Sequence, residues 1–501
     1  MNYTKQIFLI AFIIINALFI TSCDKQLDEL QPINEDISSF LGKKLENPYS
    51  VKNMRKAFEN LKQNDKSGIT VSHLYIKFKP KNEDDLNLIK RDSTLNLFNY
   101  PLDYEVVEGQ EAYRDPEVST SQPTYLYASI KVDYDIPDVE YEVIEELFIP
   151  EEIEEKNDSF YTDDLVYEAL RITNNLDYDE NEKGSKWRPK GTIKLWDKTK
   201  NQYVFPDGLK VRATRWFTTH TGFVNTNGYY SCNGRFRGKA RYRIDWERYN
   251  FALRDGFWNS AQYKGPYKKG DWNWTISNGN IHQFYGTIFR AAFHYYYKNI
   301  KGLRRPPLNS FWHVQLRILA KNEVKEDALG THCPGCRFLG LGSAIKIYNP
   351  QRDSEDIYAT TIHELTHASH WNMNSWHYNN GDAIVVESWA RGVQWELTRM
   401  VYSSYEVTYG RLNYTGIVQD MINGYGNRST SSWWDYDEDG WGDPPLFKYY
   451  YDQVTGYSIR QIEDALVGER YWNNWKNDIK NSYNNATENN LDSSFDFWNT
   501  Y

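Results

Sequence analysis

Apolar positions along the chain change period several times, and each change predicts an element. In "SVKNMRKAFENLKQ" (Ser50–Gln63), Val51, Met54, Ala57, Phe58 and Leu61 recur every three or four residues, the stripe of an amphipathic helix. "VSHLYIKFKP" (Val71–Pro80) alternates as a strand does and stops at a proline. A helix at "NEDDLNLIKRD" and a strand at "STLNLFNYPL" follow, which together make a small α+β module over residues 50–185. Within it, Asp135–Asp158 is strongly acidic and reads as a solvated face or linker.

Past "NEKGSKWRPKG" (Asn181–Gly191) the segments become short and alternating: "TIKLWD", "LKVRATRWFTTH", "GYYSC" and "RYRIDWER". Asp207-Gly208, Thr221-Gly222 and Asn227-Gly228 punctuate them, and turns at such close spacing imply a β-sandwich over residues 188–255. From Gly256 the helical period returns. Ile281–Leu303 predicts a long helix ending at Gly302, and "FWHVQLRILAK" and "LGSAIKIYN" predict strands. "DSEDIYATTIHELTHASHWN" then starts a helix with Asp353 or Ser354 as N-cap, and Asp382–Tyr405 a second. The last region, 256–501, is therefore expected to be one α+β domain, and the whole chain a multidomain α/β protein.

Composition narrows the function. A chain of 501 residues with 40% hydrophobic and 25% charged positions has ample material for a core. Its 40 Tyr and 18 Trp suit a core and surface rich in amphipathic rings. A formal net charge of −10, without a basic stripe, argues against a nucleic-acid partner.

At the N-terminus, Lys5 precedes the apolar run Ile7–Ile20, which is short of the ~20 residues that span a bilayer and fits a signal peptide over residues 1–22. The ending Ile20-Thr21-Ser22-Cys23 resembles a bacterial lipobox, which implies lipidation of Cys23 and a tether over 23–49. The resemblance implies a protein outside the cytoplasm, lipid-anchored to a bacterial membrane, in the outer membrane or at the cell surface. Cysteine usage agrees with that compartment. "HCPGC" (His332–Cys336) lacks the second pair a structural zinc site needs, so a local Cys333–Cys336 disulfide is the expectation, with Cys232 a buried small hydrophobe.

The chemistry lies at His363-Glu364-Leu365-Thr366-His367, a His-Glu-x-x-His motif. Histidines four apart on a helix point the same way and can share one metal, with the glutamate beside them to take a proton from water. With 10 His in 501 residues, only about 0.01 such matches are expected by chance. His370 is on the same face but roughly 10.5 Å further along the axis, too far for tetrahedral geometry with the other two. A metzincin would need a histidine where Met373 stands. Glu387, 20 residues after His367, can return on a second helix.

That spacing resembles the thermolysin-like gluzincins, whose third ligand is a glutamate on the next helix. The resemblance implies one Zn²⁺ held by His363, His367 and Glu387, Glu364 as general base, and a peptide or protein substrate. Gluzincins often place an aspartate four residues after that glutamate to orient a ligand histidine; Arg391 stands there instead. "LGSAIKIYN" is expected to be the edge strand for an extended peptide. His377, Tyr378 and Tyr402 are candidates for stabilising an oxyanion.

A second resemblance covers about sixty residues. Gly191-x-Ile193, Asp207-Gly208-Leu209-x-Val211-x-Ala213, Thr218-Thr219, Gly222 and Asn227-Gly228-Tyr229 resemble the carboxypeptidase regulatory-like domain, a transthyretin-like sandwich that is not itself catalytic. The last region would then be zincin-like. The anchor and motif together are also loosely similar to the substrate-import-associated zinc metallohydrolase lipoproteins. In "DYDEDGWGD", Asp435, Asp437, Asp439 and Gly440 match half of a calcium loop, but Leu446 stands at the twelfth position, so a partial Ca²⁺ site and an acidic turn fit equally. The alternative to a peptidase is a non-catalytic surface lipoprotein that binds a glycan or protein on a zincin scaffold. An intact Glu364 weighs against it.

Overall fold

The computed structural model describes residues 41–499 apart from 62–67, 93, 107–112, 120–121, 151–158, 178–184, 257, 259, 311–314, 327, 334–344, 408–412, 424–425 and 430–448. In order, the N-terminal module contains β1 (Leu41–Lys44), α1 (Val51–Asn60), β2 (His73–Phe78), α2 (Glu83–Arg91), β3 (Tyr104–Val106), β4 (Leu126–Lys131), β5 (Tyr141–Leu147) and α3 (Ser159–Ile172). Ser50 caps α1 by accepting the Asn53 N–H, and Asn82 does the same for α2 with Asp85. β2 is the centre of an antiparallel sheet of order β4-β2-β5.

One expectation in this module fails. The segment at "STLNLFNYPL" makes only a single bridge, Phe98 to Tyr127, although Leu95, Phe98, Tyr100 and Leu102 are buried. Its apolar alternation reflects packing without a ladder. The acidic run is the solvated face expected of it rather than a linker: Tyr141–Leu147 forms β5, on which Glu142 and Glu146 are exposed. Its glutamates stand on a sheet edge, where charge discourages pairing with another chain.

The sandwich has β6 (Lys190–Asp197), β7 (Gln202–Val204), β8 (Lys210–Arg215), β9 (Thr218–Phe223), β10 (Tyr229–Ser231), β11 (Ala240–Asp245), β14 (Gln262–Lys268) and β15 (Trp274–Ile276). One sheet has the order β10-β6-β15, with β7 also on β6, and the other β14-β11-β8-β9. Residues alternating along them, among them Ile193, Leu195, Val211, Ala213, Tyr242 and Ile244, fill the shared core.

The sheets do not divide at Asp255 as the sequence suggested. β12 (Glu247–Arg248) and β13 (Phe251–Arg254) leave the sandwich to join β16 (Leu316–Ala320), β18 (Ile345–Ile347) and β17 (Gly330–His332) in a sheet of order β12-β13-β16-β18-β17. The chain then returns to the sandwich through β14 and β15. One hydrophobic cluster runs from Ile193 in the sandwich to Trp498, so no linker separates the two regions.

The helices that follow are α4 (Ile281–Tyr297), α5 (Ser354–Met373), α6 (Ser375–Asn379), α7 (Ala383–Thr398), α8 (Ile417–Asn423), α9 (Ile459–Leu466), α10 (Trp472–Ser482) and α11 (Leu491–Asn499). The molecule is thus a multidomain mixed α/β protein with several sheets. No helix among the described residues is long and apolar enough to cross a membrane.

Candidate metal centre

α5 is buried on nearly every face because α4, α7, β17 and β18 all pack against it. Ile357, Ile362, Leu365 and Ala368 anchor it in the core. With its rotation fixed, His363 and His367 present adjacent imidazoles one turn apart. α7 runs along α5 and brings Glu387 to both rings. His363 Nε2 lies 3.2 Å and His367 Nε2 3.3 Å from Glu387 Oε2, and the two nitrogens are 3.0 Å apart. One ligand atom from each of the three residues falls within a 4.8 Å group, the only such group of three among the described residues.

The donor set suits a zinc ion. His363 Nδ1 lies 3.0 Å from the Gln394 side-chain oxygen. An imidazole that donates there keeps its Nε2 lone pair free for a metal. Two nitrogen lone pairs and a carboxylate oxygen on one point match tetrahedral zinc with a fourth position open.

Electrostatics follow from burial. Desolvation pulls His363 down to about 4, favouring the neutral ring a metal requires. Burial opposes the charged form of His367 too, but Glu387 outweighs it and leaves that imidazole raised. Burial likewise opposes ionised Glu387, yet His367 and His363 hold its carboxyl well below the usual range. Glu364 is 6% exposed, and desolvation lifts its carboxyl to about 7. Gly330 on β17 passes over it so closely that an added Cβ would come within 2.8 Å of Glu364 Cγ and Oε1.

Three neighbours escaped the sequence reading. Gln394, rather than an aspartate at position 391, orients His363; it accepts from Arg391 Nη1 at 3.3 Å and donates to the Tyr405 hydroxyl at 2.7 Å. Tyr414 lies 6.0 Å from the His363 ring, and burial, then the charge of Glu387, push it up to about 12. Arg391 covers the Tyr414 ring at 4.8 Å. His332 stacks on His367 at 6.1 Å and 13°. His332 was visible only as the first residue of the cysteine motif; Gln394 and Tyr414 carried no signal.

The other expected residues divide. Tyr378 reaches the site, with its hydroxyl 3.2 Å from His332 Nδ1 and its ring edge-on to His367 at 6.0 Å. Tyr402 does not: its hydroxyl donates to Asp197 at 2.8 Å in a separate buried cluster. His377 donates its backbone N–H to the Asn374 side chain that caps α6 and packs on Trp376, outside the ligand group. His370 is buried against Tyr378 at 5.3 Å and is not among the converging ligands. The expected edge strand is also displaced, since β18 lies inside the sheet and β17 is its edge.

Cys333 is disulfide-bonded and Cys232 is free and buried. Cys336, Cys23, the signal segment and the loop of Asp435, Asp437 and Asp439 lie outside the described residues. Compared with family models, characterised proteins and solved structures, the chain matches none.

Proposed function

We propose that the protein is a zinc metallopeptidase of gluzincin type, anchored by a lipid on Cys23 outside the cytoplasm. The supporting observation is the convergence of His363 Nε2, His367 Nε2 and Glu387 Oε2 beside the buried carboxyl of Glu364. His363, His367 and Glu387 would hold the ion. When bound, zinc lowers the pKa of a coordinated water toward about 7 and polarises a carbonyl. Glu364 takes the water's proton on its carboxylate and returns it to the leaving amine. The Tyr378 hydroxyl donates to the oxyanion that develops on the substrate. An extended peptide adds to the edge of β17, the last strand of the sheet among the described residues, which places its backbone beside Glu364. In this reading α4, α5, α7 and the five-stranded sheet form a zincin-like domain, and the sandwich is its transthyretin-like, carboxypeptidase regulatory-like companion.

The test is metal content by mass spectrometry on the purified protein, paired with hydrolysis of a peptide library. Wild type and His370→Ala should carry one zinc per chain, Glu387→Ala should carry none, and Glu364→Gln should keep zinc but not cleave. A wild type that takes up no zinc after repletion would replace this reading with that of a non-catalytic binding lipoprotein.

A further inference from the structure

Away from the metal centre, the N-terminal module, the sandwich and the five-stranded sheet enclose a cavity of about 160 Å³. That is several times the ~30 Å³ share of one water in the liquid. α2 contributes Lys90 to its wall, β8 Arg212, β11 Arg243, β13 Arg254 and β16 Arg317. Strand alternation explains this arrangement. On β8 and β11 the residues Val211, Ala213, Tyr242 and Ile244 face the sandwich core, so Arg212, Arg243 and Asp245 turn to the opposite face. The N-terminal module covers that face, and Arg212, Arg243 and Arg254 are left only 8%, 3% and 1% exposed.

The wall is strongly positive in a chain whose net charge is −10. Eight Lys and Arg side chains line it against three carboxylates, Asp92, Asp245 and Glu247. Most of the cations are partly matched. Asp245 serves both Arg212, at 3.0 Å, and Arg243, at 2.9 Å. Glu247 pairs with Lys210 at 2.7 Å, and Glu83 pairs with Arg317 from behind the wall.

Three of the lining cations, Lys90, Arg248 and Arg254, have no carboxylate at ion-pair distance among the described residues, although Glu247 lies near enough to favour the charged forms of Lys90 and Arg254. Arg254 donates Nη1 to the Trp258 carbonyl at 2.8 Å, while its Nε is buried without a hydrogen-bond partner. Lys90 has no carboxylate at ion-pair distance among the described residues; burial, and then the like charge of Arg254, pull its ammonium down to about 7. Lys90 is half-buried and Arg254 only 1% exposed, and a cation buried as deeply as Arg254 is costly unless an anion compensates it.

We propose that this cavity binds a tetrahedral oxyanion, a phosphoryl or sulfate group, between Lys90 and Arg254. Eight cations face three carboxylates around this cavity, and that excess suits a dianion better than the single charge of a carboxylate. A guanidinium fork beside an ammonium is also the donor set that suits phosphate oxygens. The site does not depend on the zinc reading, and it lies on different elements.

The experiment is calorimetric titration of the full chain with inorganic phosphate, at constant ionic strength set by chloride, beside inorganic sulfate, glucose 6-phosphate and glucose. We expect one site with a submillimolar Kd for phosphate or glucose 6-phosphate and no heat from glucose. Inorganic phosphate alone assigns a free ion; glucose 6-phosphate alone assigns a phosphorylated molecule. Lys90→Met and Arg254→Met should each weaken binding at least about tenfold with zinc content unchanged. Because it removes an unmatched charge, Lys90→Met should also raise the Tm in chloride, and it decides the matter should Arg254→Met fail to fold. No heat from any of the anions up to about 10 mM, or equal affinity in Lys90→Met, overturns the proposal and leaves a water-filled ionic seam.

Discussion

Gln394 holds His363 through Nδ1, and this bond fixes which nitrogen faces the ligand cluster. Its own amide is held in turn by Tyr405 and Arg391, so its orientation is not free. Gln394→Ala should therefore weaken zinc binding about 10- to 100-fold, measured by competition with a chelator of known affinity. An unchanged zinc affinity would mean that packing alone orients the ring. Tyr378 makes a different prediction because its hydroxyl contacts His332 and not a ligand. Tyr378→Phe should keep zinc and KM and lower kcat about 10²- to 10³-fold, the range for loss of one oxyanion donor. A change in KM alone would assign the hydroxyl to substrate binding instead.

β17 is three residues long, yet it brings Gly330 over Glu364 and His332 onto His367. Gly330→Ala would set a methyl against Glu364 and against Thr360 Cγ2, each at 2.8 Å. Either the strand or the base must move, so peptide hydrolysis should fall by at least about tenfold while zinc content stays at one per chain; a geometry error of 1 Å costs more than that in general. Full activity in Gly330→Ala would place the substrate away from β17. This strand also marks the limit of what the chain reveals by pattern. His363, Glu364 and His367 were legible because a helix converts spacing directly into direction, whereas Glu387 was reached through its 20-residue distance from His367 and the resemblance that spacing carries. Three residues show no period, and which strand lies at a sheet's edge is decided by the order β16-β18-β17, a non-local fact. The same holds for Tyr414, which reaches the His363 ring only through tertiary packing. The excursion of β12 and β13 out of the sandwich was hidden for the same reason: β12 has two residues and the four of β13 are all buried, so neither shows an alternation, and the sequence placed a boundary at Asp255 where the chain crosses between sheets and returns.

The sandwich and the helical region share one core, and His282 sits at their junction. It belongs to α4, stacks on Trp246 at 6.0 Å and 18°, and meets Trp274 and Tyr263 of the sandwich edge-on. Trp246 Nε1–H donates to its Nδ1 at 3.1 Å, which requires a neutral ring with that nitrogen unprotonated. Burial accordingly pulls its pKa from 6.5 down to about 4. In the unfolded chain the imidazole takes up a proton as pH falls through 6.5, whereas in the folded protein it does so only near 4. Between these values the unfolded state binds more protons, so the contribution of His282 to stability is complete above 6.5 and is lost as pH falls toward 4. Moving from pH 7 to pH 5 should cost about 2 kcal/mol from this group, a large share of the ~5–15 kcal/mol typical of a domain. Urea unfolding of wild type and His282→Gln at both pH values isolates it from the other titrating groups. The wild type should lose about 2 kcal/mol more than the variant on acidification. Parallel losses would show that the ring is already protonated, or accessible to water, in the folded protein, and that the two regions are not joined through a neutral imidazole.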